Sequence, residues 1–282
     1  MGSKISAWIS AAIVGSTAGL LVDIAHSQAQ CLPAPPNLVE AGYLTVGTTL
    51  TAPPMGFMKD NVPAGFDPEL ITIVAEKMCL KTKIVNLTFQ GLFPGLEAKR
   101  FDVVASQIGI TDARKEKYDF VPVFVGGLRL VTQKDSGLKF KTESDVCGYS
   151  ASIVAGSTQM AALQRVKDDC PADKPMTLRV FTNQNEALNE VAKRSVNVAY
   201  VDWPVAAFVI QQRPNDFVEA SPVLSGKGPN TDRNRNGIVV RKGETETAGA
   251  IAAAVKAAQD GGAYDQILTR WNLADGDIRK VN

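Results

Sequence analysis

The stretch "DPELITIVAEKMCLKTKIVNLTFQGLFPGLEAKRFDVVAS", Asp67 to Ser106, alternates helix and strand signals without a long loop between them. Asp67 reads as an N-cap, with Pro68 at the first helical position, where its missing N–H costs nothing. Leu70, Val74 and Met78 recur at helical spacing on one face. "KIVNLTF" then alternates into a strand ending at Phe89, "GLFPGLEAKR" predicts a short helix, and "FDVVAS" predicts another strand. A strand at "YLTVGTT", from Tyr43, precedes the whole. The order strand, helix, strand, helix, strand predicts an α/β unit around a parallel sheet.

Outward from that unit the scheme repeats. "ASIVAG", "LRVFT" and "VNVAYVD" read as strands. They are separated by the helical stretches "STQMAALQRVK", with Ser157 or Thr158 as cap, and "NQNEALNEVAKR"; "PVAAFVIQQ" closes the set as a helix. The tail adds a strand, "GIVVR", and two helices, one Ala-rich. Two stretches are candidates for joining the units, Leu128 to Gln133 and "LSGKGPNTDRNRNG" from Leu224. Two crossings between two α/β units predict hinged lobes with a ligand cleft between them. The division expected is residues 1–29 as a leader, 30–130 as the first part of lobe 1, 131–223 as lobe 2, and 224–282 as the second crossing and the rest of lobe 1.

The leader, "MGSKISAWISAAIVGSTAGLLVDIAHSQAQ", has an early lysine, an uncharged run from Ile5 to Val22 and small residues at Ser27 and Ala29. That is a cleavable secretory pattern and predicts a periplasmic protein. Gln30 precedes Cys31, where a lipoprotein signal wants Gly or Ala, so Cys31 is not read as a lipidation site. Export gives the four cysteines an oxidising compartment. Three pairings are open. The expected one is Cys147–Cys170, which closes a short loop around one strand–helix unit, with Cys31–Cys79.

The sole histidine, His26, lies in the leader. A mature chain without histidine lacks the commonest general base, the Ser-His-Asp and Cys-His arrangements and the commonest metal ligand. No Walker loop and no GxGxxG after a strand is present. Basic residues number 30 and acidic ones 29, so the near-zero net charge gives no nucleic-acid footprint. The chain is therefore read as a non-enzyme with no catalytic, cofactor or metal residues. "DRNRNG", from Asp232, resembles the start of a calcium loop, but Gly243 stands at the bidentate position and a polar hinge loop is the better account.

Candidate site residues cluster at the carboxyl ends of predicted strands, where parallel sheets bind ligands. Thr48 and Thr49 follow the first strand, Phe89 ends the next, and Ser106 and Gln107 end the third. Ser157 and Thr158 follow "IVAG", and Asp202 ends "VNVAYV". Arg114 is odd. Thr111 is the natural N-cap of a short helix, which puts Arg114 at the third position of a positively polarised helix end. An anion between the two would explain the placement; pairing with Asp112 or Glu116 on a solvated face is the alternative. With Asp202 facing it, Arg114 would suit a zwitterion such as an amino acid. Trp203 is either a cleft wall or a core residue.

The segments "AGFDPELITIVAEKM", "LTFQGLFPGLEAKRFDVVASQIGITDARKEKYDFVPVF", "IVAGSTQ", "VNVAYVDWPVA" and "GIVVRKGETE…DGGAYDQILTRWN", in this order, resemble the family 3 bacterial solute-binding proteins. The resemblance implies two α/β lobes of the type II periplasmic-binding fold, each a mostly parallel sheet flanked by helices. It also implies capture of an amino acid or derivative for an ABC import permease. Residue by residue it implies that Arg114 holds the ligand carboxylate, Thr158 helps from the other lobe, Asp202 takes the α-amino group and Phe89 stacks on the ligand side chain. Gln107 contributes its backbone. Three departures stand out: Gly109 where Ser or Thr is common, Ala52 where an aromatic is common, and Thr49 where receptors for cationic amino acids often carry an acid. The last predicts that Lys, Arg and ornithine bind more weakly than neutral ligands. No partner beyond a small-molecule ligand and the permease is expected, and the chain is expected to be a monomer. The rival readings are a secreted enzyme similar to cyclohexadienyl dehydratases, with Glu186 or Glu190 as its acid, and a ligand-sensing receptor subunit.

Overall fold

The structure, a computed structural model, describes residues 1–2, 31–226 and 234–280. The leader reading and its cut near residue 29 fall outside the described residues, as does Asp232.

The first lobe opens with β1 (Tyr43–Thr48) and a small antiparallel sheet of β2 (Thr51–Ala52), β3 (Gly56–Lys59) and β4 (Val62–Ala64). Then come α1 (Phe66–Lys77), β5 (Lys81–Asn86), α2 (Phe89–Glu97), β6 (Val103–Gly109), α3 (Asp112–Lys115) and β7 (Tyr118–Val125). The second lobe holds β8 (Leu128–Gln133), β9 (Ser150–Val154), α4 (Thr158–Asp168), β10 (Thr177–Phe181), α5 (Gln184–Ala192), β11 (Val198–Asp202), α6 (Trp203–Gln212) and β12 (Phe217–Glu219). The chain returns as β13 (Arg235–Arg241), α7 (Thr245–Asp260) and α8 (Ala263–Arg270).

The two large sheets run β5-β1-β6-β13-β7 and β10-β9-β11-β8-β12. In each, one strand opposes the rest: β13 is antiparallel to β6 and β7, and β8 is antiparallel to β11 and β12. These are the two strands that enter directly from a crossing. A chain arriving from the other lobe must start at the inter-lobe end and run away from it. The remaining strands therefore point their carboxyl ends at the partner lobe, which fixes where a ligand can sit.

Each sheet is covered on both faces. Leu44 and Val46 of β1 pack with Leu70 and Val74 of α1, Ile251 and Ala254 of α7, and Tyr264 of α8. Leu92, Leu96, Phe101 and Ile108 fill the opposite face. In the second lobe Leu130, Ile153 and Leu163 lie on one side, and Val131, Leu188 and Val205 on the other. Both expected disulfides are formed, Cys31–Cys79 and Cys147–Cys170.

Four expectations need correction. Leu128–Gln133 is not a crossing but strand β8; the crossing contracts to Gly126 and Gly127, and the strand of the second lobe begins before residue 131. Its mate is tied beside it: Leu128 and Leu224 exchange backbone hydrogen bonds of 2.8 and 2.7 Å, and Gly126 N–H donates to Asn234 O at 2.6 Å. The strand read through to Phe89 ends at Asn86, and Phe89 opens α2 behind Thr88. Asp67 is not a cap; Gly65 precedes α1, and Asp67 lies buried in its first turn. Gly65 has φ +109°, and a Cβ there would meet Pro54 O at 2.5 Å. Only glycine lets the chain fold this tightly into α1 and carry Asp67 inward. Trp203 takes the core alternative, stacking on Phe124 with 5.9 Å between centroids and donating from Nε1 to Val125 O at 3.2 Å beside the crossing. Arg235 to Gly237, read as part of a calcium loop or hinge, already belong to β13.

Candidate functional site

The carboxyl ends of β1, β5 and β6 in one lobe and of β9, β10 and β11 in the other converge on a cavity of about 300 Å³. It is large enough for a small organic ligand. The first lobe contributes Thr49, Ala52, Met55, Asp67, Asn86, Phe89, Ser106, Gln107, Gly109 and Arg114. The second contributes Ser157, Thr158, Gln159, Thr182, Asn183, Gln184 and Asp202.

Arg114 is set by local chemistry. Thr111 caps α3, its side chain accepting from Arg114 N–H at 3.3 Å. The neighbouring carboxylate of Asp112 pairs with Lys115 at 2.6 Å, which leaves the guanidinium to turn inward. Nη1 donates to Gly109 O at 2.9 Å, and Nη2 reaches across the cleft to Gly156 O at 3.2 Å. The rings of Phe93 and Phe89 lie 5.1 and 5.8 Å from the guanidinium carbon, within cation–π range. Desolvation lowers the Arg114 pKa to about 10, the Asp202 charge only partly offsetting it.

Asp202 ends β11 opposite. Its Oδ2 accepts from Gln159 Nε2 at 2.8 Å and Gln184 Nε2 at 3.1 Å. Burial raises its pKa to about 6, against the lowering effect of those two amides and of Arg114. Among the described residues neither Arg114 nor Asp202 forms a salt bridge. Each is a charge in a desolvated site, held by neutral dipoles and by the other's charge across the cleft, without a salt-bridge contact among the described residues.

The other candidates sit around this pair. Ser157 caps α4, accepting from Met160 N–H at 3.1 Å, which sets Thr158 at the helix start facing Gly109. A Cβ on Gly109 would lie 3.0 Å from Thr158 Cγ2, so the Thr158 methyl occupies the space that a side chain at 109 would need. Gln107 has φ +52°, a left-handed conformation costly for a residue with a Cβ. Its carbonyl accepts from Asn236 Nδ2 at 3.3 Å, and its side-chain Nε2 is buried without a hydrogen-bond partner among the described residues. Thr49 is held by Ser106, whose Oγ accepts from Thr49 N–H at 3.0 Å. Ala52 lines the cavity while packing into the core of the second lobe, so the small sheet bridges the lobes.

Sequence reasoning missed Asp67, Asn86, Gln159 and Gln184. Gln159 and Gln184 stand in the first turns of α4 and α5, just after strand ends, so the carboxyl-end rule would have found them. Asp67 was hidden by its resemblance to a cap. Glu186 and Glu190, the acids a dehydratase would use, do not line the cavity. Hydrogen bonds hold both pKa values down, from Thr182 on Glu186 and from Ser195 and Lys193 on Glu190, the wrong direction for a general acid.

The sequence profile described as bacterial extracellular solute-binding proteins, family 3, matches residues 44–274. The L-cystine-binding protein TcyJ of Escherichia coli (strain K12) is 25% identical over 238 residues, covering 84% of this chain and 85% of that protein. A solved structure described as an ancestral arginine-binding protein bound to arginine superposes with TM-score 0.74 at 30% identity, over 82% of this chain and 98% of that one. The ancestral amino acid-binding protein AncCDT-1, a precursor of cyclohexadienyl dehydratase, superposes with TM-score 0.71 at 27% identity, over 82% and 95%.

Proposed function

This chain belongs to family 3 of the bacterial extracellular solute-binding proteins, and we propose that its cleft captures an α-amino acid, or a derivative keeping the free head group, for delivery to an ABC import permease. One observation carries the reading. Arg114 and Asp202 face one cavity from opposite lobes, each desolvated and, among the described residues, neither in a direct salt bridge. A carboxylate against Arg114 and an ammonium against Asp202 would supply both with a direct counter-charge at once. Because the two charges come from different lobes, the zwitterion stabilises the closed arrangement over an open one.

In this reading Thr158 and the Gly109 backbone flank the carboxylate, the strained Gln107 peptide lies beside the head group, and Phe89 borders the side-chain space. The relatives support the ligand class: one is named for L-cystine, and another is recorded with arginine. A binding role rather than a dehydratase is supported by Glu186 and Glu190 lying outside the cavity. An extracytoplasmic location agrees with the family and the two disulfides; a leader cut near residue 29 and a monomeric state complete the proposal. The test is a thermal-shift and calorimetry panel of amino acids, cystine and N-acylated controls. Stabilisation by free amino acids and none by their N-acetyl forms is expected. No amino acid binding at millimolar concentration would overturn it.

A further inference from the structure

Among the described residues the ionisable side chains lining the cavity are Asp67, Asp202 and Arg114. A bound zwitterion, on the reading above, matches Arg114 and Asp202 and leaves Asp67 over. Asp67 is 5% exposed, comes from the first turn of α1, and is fixed there by its own N–H donating to Met55 O at 2.8 Å. The same wall holds short or apolar groups, Ala52, Met55, Gly56 and Leu87, beside the polar Thr49, Asn86 and Ser106. A ligand side chain that enters this cavity shares it with the Asp67 carboxyl group. We propose that Asp67 is the side-chain reader of this site: as a neutral carboxyl group it accommodates an uncharged ligand side chain, and it gives up its proton when a cationic side chain binds.

The surroundings favour this exchange. Burial is the main cause that raises the Asp67 pKa to about 8, with the Asp202 charge adding to it and the Gln107 N–H opposing. Among the described residues the only cation in the cavity wall is Arg114, which the ligand carboxylate would neutralise. β1, β3, β5, β6, α7 and α8 place no ionisable side chain in the wall. Glu69, two residues along α1, lies outside it and is held by Arg270 and by Trp271 Nε1 at 3.0 Å. A cation beside Asp67 would meet a carboxylate with no other counter-ion and hold it ionised. The weakness toward cationic ligands expected from Thr49 then applies only on the acid side of neutrality, where Asp67 keeps its proton.

Arginine and citrulline test this, because they match in length and differ in one charge. The ratio of their affinities cancels the head-group titrations of Asp202 and of the ligands. With Asp67 titrating near 8, the arginine-to-citrulline affinity ratio should rise about 100-fold from pH 6 to pH 8, as the ratio of ionised to neutral Asp67 does. In Asp67→Asn it should stay within about 3-fold across that range, since Asn cannot ionise. Should that variant fail to fold, calorimetry of the parent at pH 7 in buffers of different ionisation enthalpy gives the same answer. Arginine should release about 0.9 proton and citrulline none. A flat ratio, or no proton release with arginine, overturns the proposal and leaves the zwitterion reading standing. So does failure of both probes to bind while another free amino acid does. If no amino acid binds, the head-group reading itself has failed, and this proposal with it.

Discussion

Arg114→Ala removes the group that would hold the ligand carboxylate and also one hydrogen bond that crosses the cleft, from Nη2 to Gly156 O at 3.2 Å. The two losses are separable. Removing one member of a desolvated charge pair costs about 2–5 kcal/mol, roughly thirty- to several-thousand-fold in affinity. Losing the bond to Gly156 costs closure about 0.5–1.5 kcal/mol, or roughly 2- to 13-fold. An α-amide of the same amino acid keeps the ammonium and the side chain but has no carboxylate, so it registers only the second loss. Calorimetry of the parent and of Arg114→Ala, each against the acid and the α-amide, therefore isolates the carboxylate contact as a coupling energy. Arg114→Lys should recover little, because a point charge lacks the two-pronged geometry that spans Gly109 O and Gly156 O. The ligand-free melting temperature should move little, since the lost carbonyl bonds are offset by relief of a desolvated cation. If acid and α-amide lose equally, Arg114 acts only on closure, and the carboxylate site lies elsewhere in the cavity.

Asp202→Asn should weaken free amino acids by about 2–5 kcal/mol while changing the binding of N-acetyl analogues far less; equal weakening of both by calorimetry would remove Asp202 from the ammonium site. Gly109→Ala places a Cβ 3.0 Å from Thr158 Cγ2 and should weaken ligand binding by about 1–2 kcal/mol through hindered closure. Adding Thr158→Ser, which deletes that methyl group, should restore the affinity, and no rescue would show that the two positions do not meet. Reducing the disulfides should lower unfolding free energy by about 3–4 kcal/mol each, from loops spanning 23 and 48 positions. Urea titrations with and without reductant measure this, and coincident curves would show that the bridges do not constrain the unfolded chain.

Much of this architecture is local in origin and so was legible in the sequence. Apolar residues at helical spacing from Leu70 to Met78, the alternation in "KIVNLTF" and the caps Thr111 and Ser157 are properties of short windows, and they give the element order. The cysteine pairing followed from loop length, and the site candidates from the rule that ligands sit beyond strand ends, since Thr49, Gln107, Thr158 and Asp202 all lie at such ends. What the windows did not contain was direction and burial. That β8 and β13 oppose their neighbours depends on which way the chain enters each sheet from a crossing, a relation between residues about a hundred positions apart. That Arg114 spans two carbonyls depends on the second lobe bringing Gly156 across the cleft. Asp67 shows the difference most plainly. In sequence an Asp before a Pro at a helix start is a cap; in the fold Gly65 takes that place, and the turn carries the carboxyl group out of water into the cavity, where desolvation and the charge of Asp202 reset its titration. Propensity and spacing act through neighbours along the chain, whereas desolvation and charge pairing act through neighbours in space, and only the tertiary structure supplies those.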